Sequence, residues 1–239
     1  GFCTFSATKY FNTFGGGMAT TSDKALGEKL KKMSRELPAP NLSHLARAVA
    51  IAALMKLLTS PPLFSAVVFP IQFLMSLFSS DLLNVYNPTI HRFKEPRGKA
   101  HGYSNLQAYI GRQWLRRIDG DNRRRAQNAK LLNELLDPAI FRLEDPPGCY
   151  SIYWLYMLMS EEPVLFSNIL LRSGIDTGKF FMGNCADENF PNTDLAARNS
   201  VQIPLNPGMD EPTIIRIAEA VNKAHDRLRK NASPKSRRY

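Results

Sequence analysis

Cysteine is scarce in this chain of 239 residues, and the few cysteines lie far apart. There are three, an odd number: Cys3, Cys149 and Cys185. This usage argues against a disulfide framework and favours a reducing compartment. The four histidines are dispersed, and no Cys or His spacing matches a metal centre, so we predict no metal site.

Acidic residues are outnumbered, because 21 Asp and Glu face 31 Lys and Arg. The net charge of +10 favours an anionic partner, such as a nucleotide sugar, an acidic lipid or nucleic acid. The run Arg123–Arg125 invites the nucleic-acid interpretation. However, Asp119 and Asp121 lie beside it, and no nucleic-acid-binding motif is present. We therefore predict a solvated helix face and no nucleic-acid partner.

No hydrophobic run reaches the roughly 20 residues that span a bilayer. The runs Leu45–Leu58 and Leu63–Phe78 are separated by Ser60-Pro61-Pro62, and Pro70 interrupts the second run. Two interpretations remain open. Either the runs form a helical hairpin packed on the protein body or at a dimer contact, or residues 45–80 form a monotopic hairpin in a membrane interface.

Near the start, Lys9 follows a short β-prone run, and Gly15–Gly17 come soon after it. Glycines allow backbone conformations that are closed to other residues, and they let another chain or a ligand approach closely. The run is not a P-loop, because no Gly-Lys-Ser/Thr ends it. Spacing alone favours a strand, a turn and a second strand with an incidental lysine.

Local patterns predict further elements along the chain. Apolar spacing predicts one long helix that opens near Tyr103, with Leu106, Ile110 and Trp114 on one face. The aromatic run Ser151–Met159 predicts a strand. Pro163–Arg172 predicts a helix that ends before a serine and a glycine.

The segment around Lys9 resembles the cofactor-lysine segment of the DegT/DnrJ/EryC1/StrS aminotransferases. The family pattern has three parts: Ser-Phe-x-x-Thr-Lys, then Gly-Gly, then a strand ending in Thr-(Asn/Asp)-Asp. The corresponding residues here are Thr4–Lys9, Gly16-Gly17 and Met18–Asp23. The resemblance implies that Lys9 forms the Schiff base with pyridoxal 5′-phosphate and that the Thr4 hydroxyl contacts its phosphate. Some relatives that dehydrate sugars carry a histidine at this position, so Lys9 favours a transaminase.

A second landmark, (Ser/Thr)-x-Leu-Gln-Ala-x-x-Gly, reads here as Ser104–Gly111. In the family it belongs to the helix that joins the two domains near the partner subunit. Many members place before it an Asn that holds the cofactor phosphate across the dimer. Ala100 and Gly102 stand there instead, so Asn105 or the nearby basic loop would have to replace that contact.

The small domain of the family is also matched by ordered landmarks, at Gly174–Gly178, Pro191-Asn192 and Ile203–Gly208. The resemblance implies an α/β fold with a remnant of the fold-type I large domain, a helical apolar insertion and a small C-terminal α+β domain. We predict four regions: the end of the cofactor-binding domain (1–40), an apolar helical insertion and basic loop (41–100), an interdomain helix (101–136) and the small domain (137–239).

The implied activity is pyridoxal-phosphate-dependent transfer of an amino group, from glutamate, to a keto nucleotide-sugar in polysaccharide or lipopolysaccharide biosynthesis. The implied protein is a cytoplasmic homodimer, with residues 45–80 as an optional peripheral contact at the inner face of a membrane. Because Gly1 almost directly precedes the Lys9 motif, we expect the N-terminal part of the large domain to be missing. The competing hypothesis is a non-catalytic truncated homologue that acts as a binding or membrane-associated scaffold subunit.

Overall fold

The computed structural model describes residues 1–6, 9–78, 101–142, 145, 147–179 and 190–231. The chain divides into two compact units. The first comprises Gly1–Phe69 and Lys94–Gly120, and the second comprises Pro70–Phe93 and Asp121–Tyr239. The predicted basic loop, the last two residues of the predicted hairpin 45–80 and Cys185 lie outside the described residues.

The first unit opens with a two-stranded antiparallel ribbon. β1 (Phe2–Thr4) pairs with β2 (Gly17–Ala19), with Cys3 opposite Met18. The two strands predicted on either side of Lys9 are therefore confirmed. The pairing fixes both ends of the segment that contains Lys9.

The next helix is α1 (Lys24–Arg35), and Asp23 caps its start. Oδ1 of Asp23 accepts hydrogen bonds from the backbone N–H groups of Ala25 and Leu26, at 2.8 and 3.1 Å. An aspartate at this position satisfies donors that have no partner within the helix.

The apolar segment forms α2 (Leu42–Leu58), α3 (Pro61–Leu63), a π-helical turn (Phe64–Val68) and α4 (Phe69–Phe78). The predicted break at Ser60-Pro61-Pro62 is present. The π-helical turn ends at Val68, two residues before Pro70, whose backbone nitrogen has no hydrogen to donate.

Within the described part of the chain, no single helix is long and apolar enough to cross a membrane. The bent pair Leu42–Leu58 and Pro61–Met75 meets the length and composition only when taken together.

The long helix predicted from Tyr103 is wrong in two respects. It forms as two helices, α5 (Asn105–Leu115) and α6 (Ile118–Leu135), because the N–H of Arg117 bonds to Trp114 at 3.0 Å in a tight turn that ends α5. The predicted face is wrong at Leu106, which is 50% exposed while Gln107 and Gly111 are buried; Ile110 and Trp114, also predicted on that face, are half-buried. The hydrogen bonds of Gln107 orient α5, and such bonds cannot be predicted from the spacing of apolar residues.

The second unit contains a three-stranded antiparallel sheet in the order β3–β5–β4. Its strands are β3 (Tyr156–Met159), β4 (Gly178–Lys179) and β5 (Ser200–Ile203). Its helices after α6 are α7 (Pro163–Arg172), α8 (Pro191–Asn199) and α9 (Glu211–Asn231). Fully buried aliphatic side chains from the sheet, α6, α7 and α9 form one core, including Leu132, Leu158, Leu170, Ile203 and Ile214.

The helix predicted at Pro163–Arg172 is confirmed at both ends. The strand predicted over Ser151–Met159 is shorter than expected and begins only at Tyr156. Two features remove its first half from the sheet. Tyr153 has a left-handed backbone with a φ of 47°, and the N–H of Ser151 is bonded to Asp145 at 2.9 Å.

Candidate active site

Lys9 lies between β1 and β2, and we call the described residues 5, 6 and 9–16 the lysine loop. It is half-buried, and its backbone N–H donates to the carbonyl of Ser6 at 2.9 Å. It carries the sole charged side chain between Gly1 and Asp23 in the sequence. The loop therefore presents one primary amine among aromatic and small polar residues.

The lysine loop is closed by backbone hydrogen bonds that converge on Phe5. The Phe5 N–H donates to Gly16 at 3.0 Å, and the Phe5 carbonyl accepts from Thr13 and Gly15, both at 3.1 Å. The chain thus leaves β1 and returns to β2 at the same point. Such closure limits the conformations open to the residues between.

The return of the loop requires left-handed backbone at three successive residues. The φ angles of Phe14, Gly15 and Gly16 are 62°, 121° and 86°. The Asn12 side chain supports this turn, because its Oδ1 accepts from the Phe14 N–H at 2.7 Å. At Gly16 an added Cβ would lie 2.7 Å from the Tyr103 ring, so the loop and α5 approach closely only because the residue is glycine.

Gln107 on α5 holds the loop through its side-chain amide. Its Nε2 donates to the carbonyls of Thr13 and Gly15, at 3.2 and 3.3 Å. Its Oε1 accepts from the backbone N–H and the hydroxyl of Ser104, at 3.1 and 3.0 Å. The Ser104 hydroxyl in turn accepts from the Gln107 N–H at 3.2 Å, which completes a capping box at the start of α5.

Tyr103 provides a second polar link between the loop and the residues that precede α5. Its hydroxyl donates to Oγ1 of Thr13 at 2.6 Å, and that oxygen donates to the carbonyl of Gly15 at 2.9 Å. Thr13 has no exposed surface. The buried Thr13 hydroxyl both accepts and donates a hydrogen bond, and these two bonds hold the loop in one position.

Aromatic side chains of the loop pack against the same face of α5. The Phe5 ring lies 4.7 Å from that of Phe11, and the Tyr10 ring contacts Trp114 edge-on at 5.4 Å. An added Cβ at Gly111 would lie 3.5 Å from both Phe11 and Thr13. Positions 107, 111 and 114 are spaced by four and three residues, so one face of α5 meets the lysine loop.

The two predicted site residues lie on one continuous segment of the first unit. Thr4 ends β1, is exposed and pairs with Gly17, while Lys9 follows within the loop. The sequence interpretation assigned no role to Tyr103, Gln107 or Thr13. The Ser-x-x-Gln spacing at the start of a helix could have identified Gln107, since it is the signature of a capping box.

A protein-family model matches a large part of this chain. The sequence model of the DegT/DnrJ/EryC1/StrS aminotransferase family matches residues 87–222, more than half of the chain. The chain belongs to this family. No curated protein sequence matches it.

Solved structures agree with the family assignment at the level of the fold. The aminotransferase TlmJ from Streptoalloteichus hindustanus superposes with a TM-score of 0.60 at 17% identity, over 95% of this chain and 52% of TlmJ. DesV from S. venezuelae, solved with a ketimine intermediate, covers 60% of this chain and 43% of its own, with a TM-score of 0.48 at 20% identity. The PLP form of the sugar aminotransferase Spr1654 from Streptococcus pneumoniae covers 55% and 38%, with a TM-score of 0.47 at 17% identity. This DegT/DnrJ/EryC1/StrS family chain spans about half the length of the first of these structures.

The family match begins after the lysine loop and includes α5. Lys9 therefore lies outside the matched residues, whereas the helix that holds its loop lies inside them. In this DegT/DnrJ/EryC1/StrS family member, Tyr103 and Gln107 physically join the two segments.

Proposed function

We propose that this chain is the lysine-bearing part of a pyridoxal-phosphate-dependent aminotransferase in which Lys9 holds the cofactor. One observation carries the proposal: α5, within the family-matched residues, holds the loop of Lys9 through Gln107 at 3.2 and 3.3 Å. A loop that is closed at Phe5 and bonded to α5 presents the amine from a fixed backbone.

The residues present fit this cofactor through the chemistry of the loop. A primary amine combines with an aldehyde, and Lys9 is the amine that the loop presents. When bound, pyridoxal phosphate supplies the aldehyde and an electron-accepting ring. Lys9 would hold it covalently, and the exposed Thr4 hydroxyl would contact its phosphate. When Lys9 is not bonded to the cofactor, its Nζ would carry the proton that is moved to or from the substrate carbon.

For the substrate, we propose a keto group on a nucleotide-linked sugar, with glutamate as the amino donor, in polysaccharide or lipopolysaccharide biosynthesis. The net charge of +10 supports an anionic substrate such as a sugar nucleotide. PseC from Helicobacter pylori, with a TM-score of 0.45, is described as an aminotransferase in pseudoaminic acid biosynthesis. We propose a homodimer as the working form.

The test is the absorbance of the native gene product with pyridoxal phosphate. We expect a protein-bound visible band that survives dialysis and is abolished by Lys9→Ala. Lys24→Ala is the matched control, because Lys24 lies on α1 outside the lysine loop, and it should leave the band unchanged. A band of equal strength in Lys9→Ala would overturn the assignment.

The scaffold hypothesis is the alternative and makes the opposite prediction. A non-catalytic subunit would show no retained band in either protein and no exchange of amino groups between glutamate and a keto acid. It would still bind its partner after Lys9→Ala.

A peripheral membrane contact is a second candidate role, favoured by the apolar segment. Residues 41–78 contain no acidic residue, and the exposed cations Arg47 and Lys56 lie on α2. Ile51 and Leu54 of α2 are 51% and 55% exposed. Apolar side chains with cations suit an interface of anionic lipid.

This contact predicts co-sedimentation with vesicles that contain an anionic lipid. Deleting residues 45–80 should abolish it, and Leu54→Glu should weaken it. Leu195→Glu on α8 is the control, because Leu195 is exposed to a similar degree, 54%. Equal sedimentation of the deletion and the intact protein would exclude the contact.

A further inference from the structure

We infer that Gln107 is a positioning residue for Lys9: its side-chain amide fixes the lysine loop and so sets where the amine is presented. The inference rests on the proposed function for the chemistry of Lys9. The loop contacts themselves do not depend on that function. Gln107 is 9% exposed and lies 98 positions after Lys9 in the sequence.

The orientation of the Gln107 amide is determined by its partners. Two donors of Ser104, the N–H and the hydroxyl, point at one end of the amide, which must be the acceptor oxygen. Two carbonyl oxygens, of Thr13 and Gly15, face the other end, which must be the NH₂ group. No other common side chain of this length both accepts twice and donates twice.

The contact lies at the part of the loop that needs support. Gly15 and Gly16 have φ angles of 121° and 86°, and glycine backbone is the easiest to displace. Without the amide, the buried Thr13 hydroxyl and Tyr103 would remain as the polar links. A displacement of about 1 Å at a reacting group can cost on the order of 100-fold in rate.

A change of one atom separates the two functions of Gln107. In Gln107→Glu the side chain keeps an oxygen for Ser104, so the capping box persists. The NH₂ group becomes a second oxygen placed against two carbonyl oxygens, where attraction becomes repulsion. The variant therefore removes the loop contact and spares the start of α5.

The chain offers a matched control on the same helix. Gln113 is half-buried on α5 and accepts from Arg116 at 3.4 Å. Gln113→Glu introduces the same charge and retains an acceptor for Arg116. Any general effect of a carboxylate on α5 should appear in both variants.

The experiment measures amide hydrogen exchange in residues 9–17 of the cofactor-free protein, together with kcat, KM and cofactor attachment at Lys9. Q107E loses the two hydrogen bonds that hold the loop on α5. We therefore expect the amide hydrogens of this segment to exchange at least about tenfold faster in Q107E than in the wild type, and at the wild-type rate in Q113E. We expect kcat to fall at least about tenfold, with a smaller change in KM. The loss should lessen as the pH is lowered, because a protonated carboxyl regains a donor.

Unchanged loop exchange in Q107E would overturn the inference, as would a loosened loop with unchanged kcat and unchanged attachment at Lys9. If Q107E does not fold, Gln107→Met removes the amide donors without adding a charge, and unchanged loop exchange in that variant would overturn the inference. Failure of the proposed function looks different: the wild type would attach no cofactor at Lys9, although Q107E still loosened the loop.

Discussion

Thr13 illustrates how one side chain links two parts of the sequence. Its hydroxyl accepts from Tyr103, 90 residues away, and donates to Gly15, two residues away. The side chain has no exposed surface, so both hydrogen bonds form away from water. At the residue scale, the position of the lysine loop depends on donors and acceptors that are individually ordinary in sequence.

Gly17 gives a prediction at this scale. An added Cβ would lie 2.6 Å from the backbone carbonyl of Cys3, which cannot rotate away. Gly17→Ala should therefore cost about 1–3 kcal/mol and disturb the pairing of β1 with β2, as measured by denaturant unfolding.

Gly27→Ala is the contrasting control, because Gly27 lies inside α1 and its Cβ would rest 3.7 Å from the Thr21 methyl group. It should stabilise the protein by about 0.5–1 kcal/mol. Equal effects of the two substitutions would contradict the described hairpin geometry.

Tyr156 gives a prediction for alkaline pH. Burial raises the pKa of this tyrosine from its ordinary 10.0 to about 12, and the neutral hydroxyl donates to Asn133. A pKa raised in the folded state means that the stabilising contribution is complete below about pH 10 and is lost as the pH rises toward 12.

Denaturant unfolding at about pH 8 and pH 11 measures this loss. Tyr156→Phe should lose less stability than the wild type between the two values. Tyr150→Phe should behave like the wild type, since Tyr150 is 86% exposed. The same loss in Tyr156→Phe and the wild type would show that Tyr156 is not the titrating group.

At the scale of single elements, the helix Pro163–Arg172 is predicted at both ends, whereas the break between α5 and α6 and the buried position of Gln107 are not. Asp23 at the start of α1 and Pro163 at the start of α7 are local signals, and local physics places those ends. The orientation of α5 depends on Gln107 meeting carbonyls 92 and 94 residues away. A hydrophobic pattern carries no record of such a polar contact.

The helix α7 provides a matched pair for the core. Leu170 has no exposed surface, whereas Leu165 on the same helix is 44% exposed. Leu170→Ala should cost about 2–5 kcal/mol, because the deleted side chain leaves a cavity in the core. Leu165→Ala should cost less than about 1 kcal/mol, and thermal and denaturant unfolding would compare the two. Similar losses would contradict the assigned core.

At the scale of the whole chain, the sequence predicted the family and the order of its landmarks. It also placed Lys9 between two paired strands, as found. It did not predict the link between the lysine loop and α5, because that link depends on tertiary contacts. The roles of Lys9, in the lysine loop, and Thr4, at the end of β1, stay predictions that rest on the resemblance.

The apolar segment also belongs to this scale. Its predicted break at Ser60-Pro61-Pro62 is present between α2 and α3. Whether the segment is an insertion, and whether it meets protein or lipid, stays a prediction, and the vesicle experiment tests the lipid contact.

The most direct test of the central claim is to locate the cofactor on the chain. The native gene product would be reduced with borohydride in the presence of pyridoxal phosphate, digested and analysed by mass spectrometry. We expect one modified peptide, with the pyridoxyl group on Lys9. A group found on another lysine, or spread over the many exposed lysines, would contradict it.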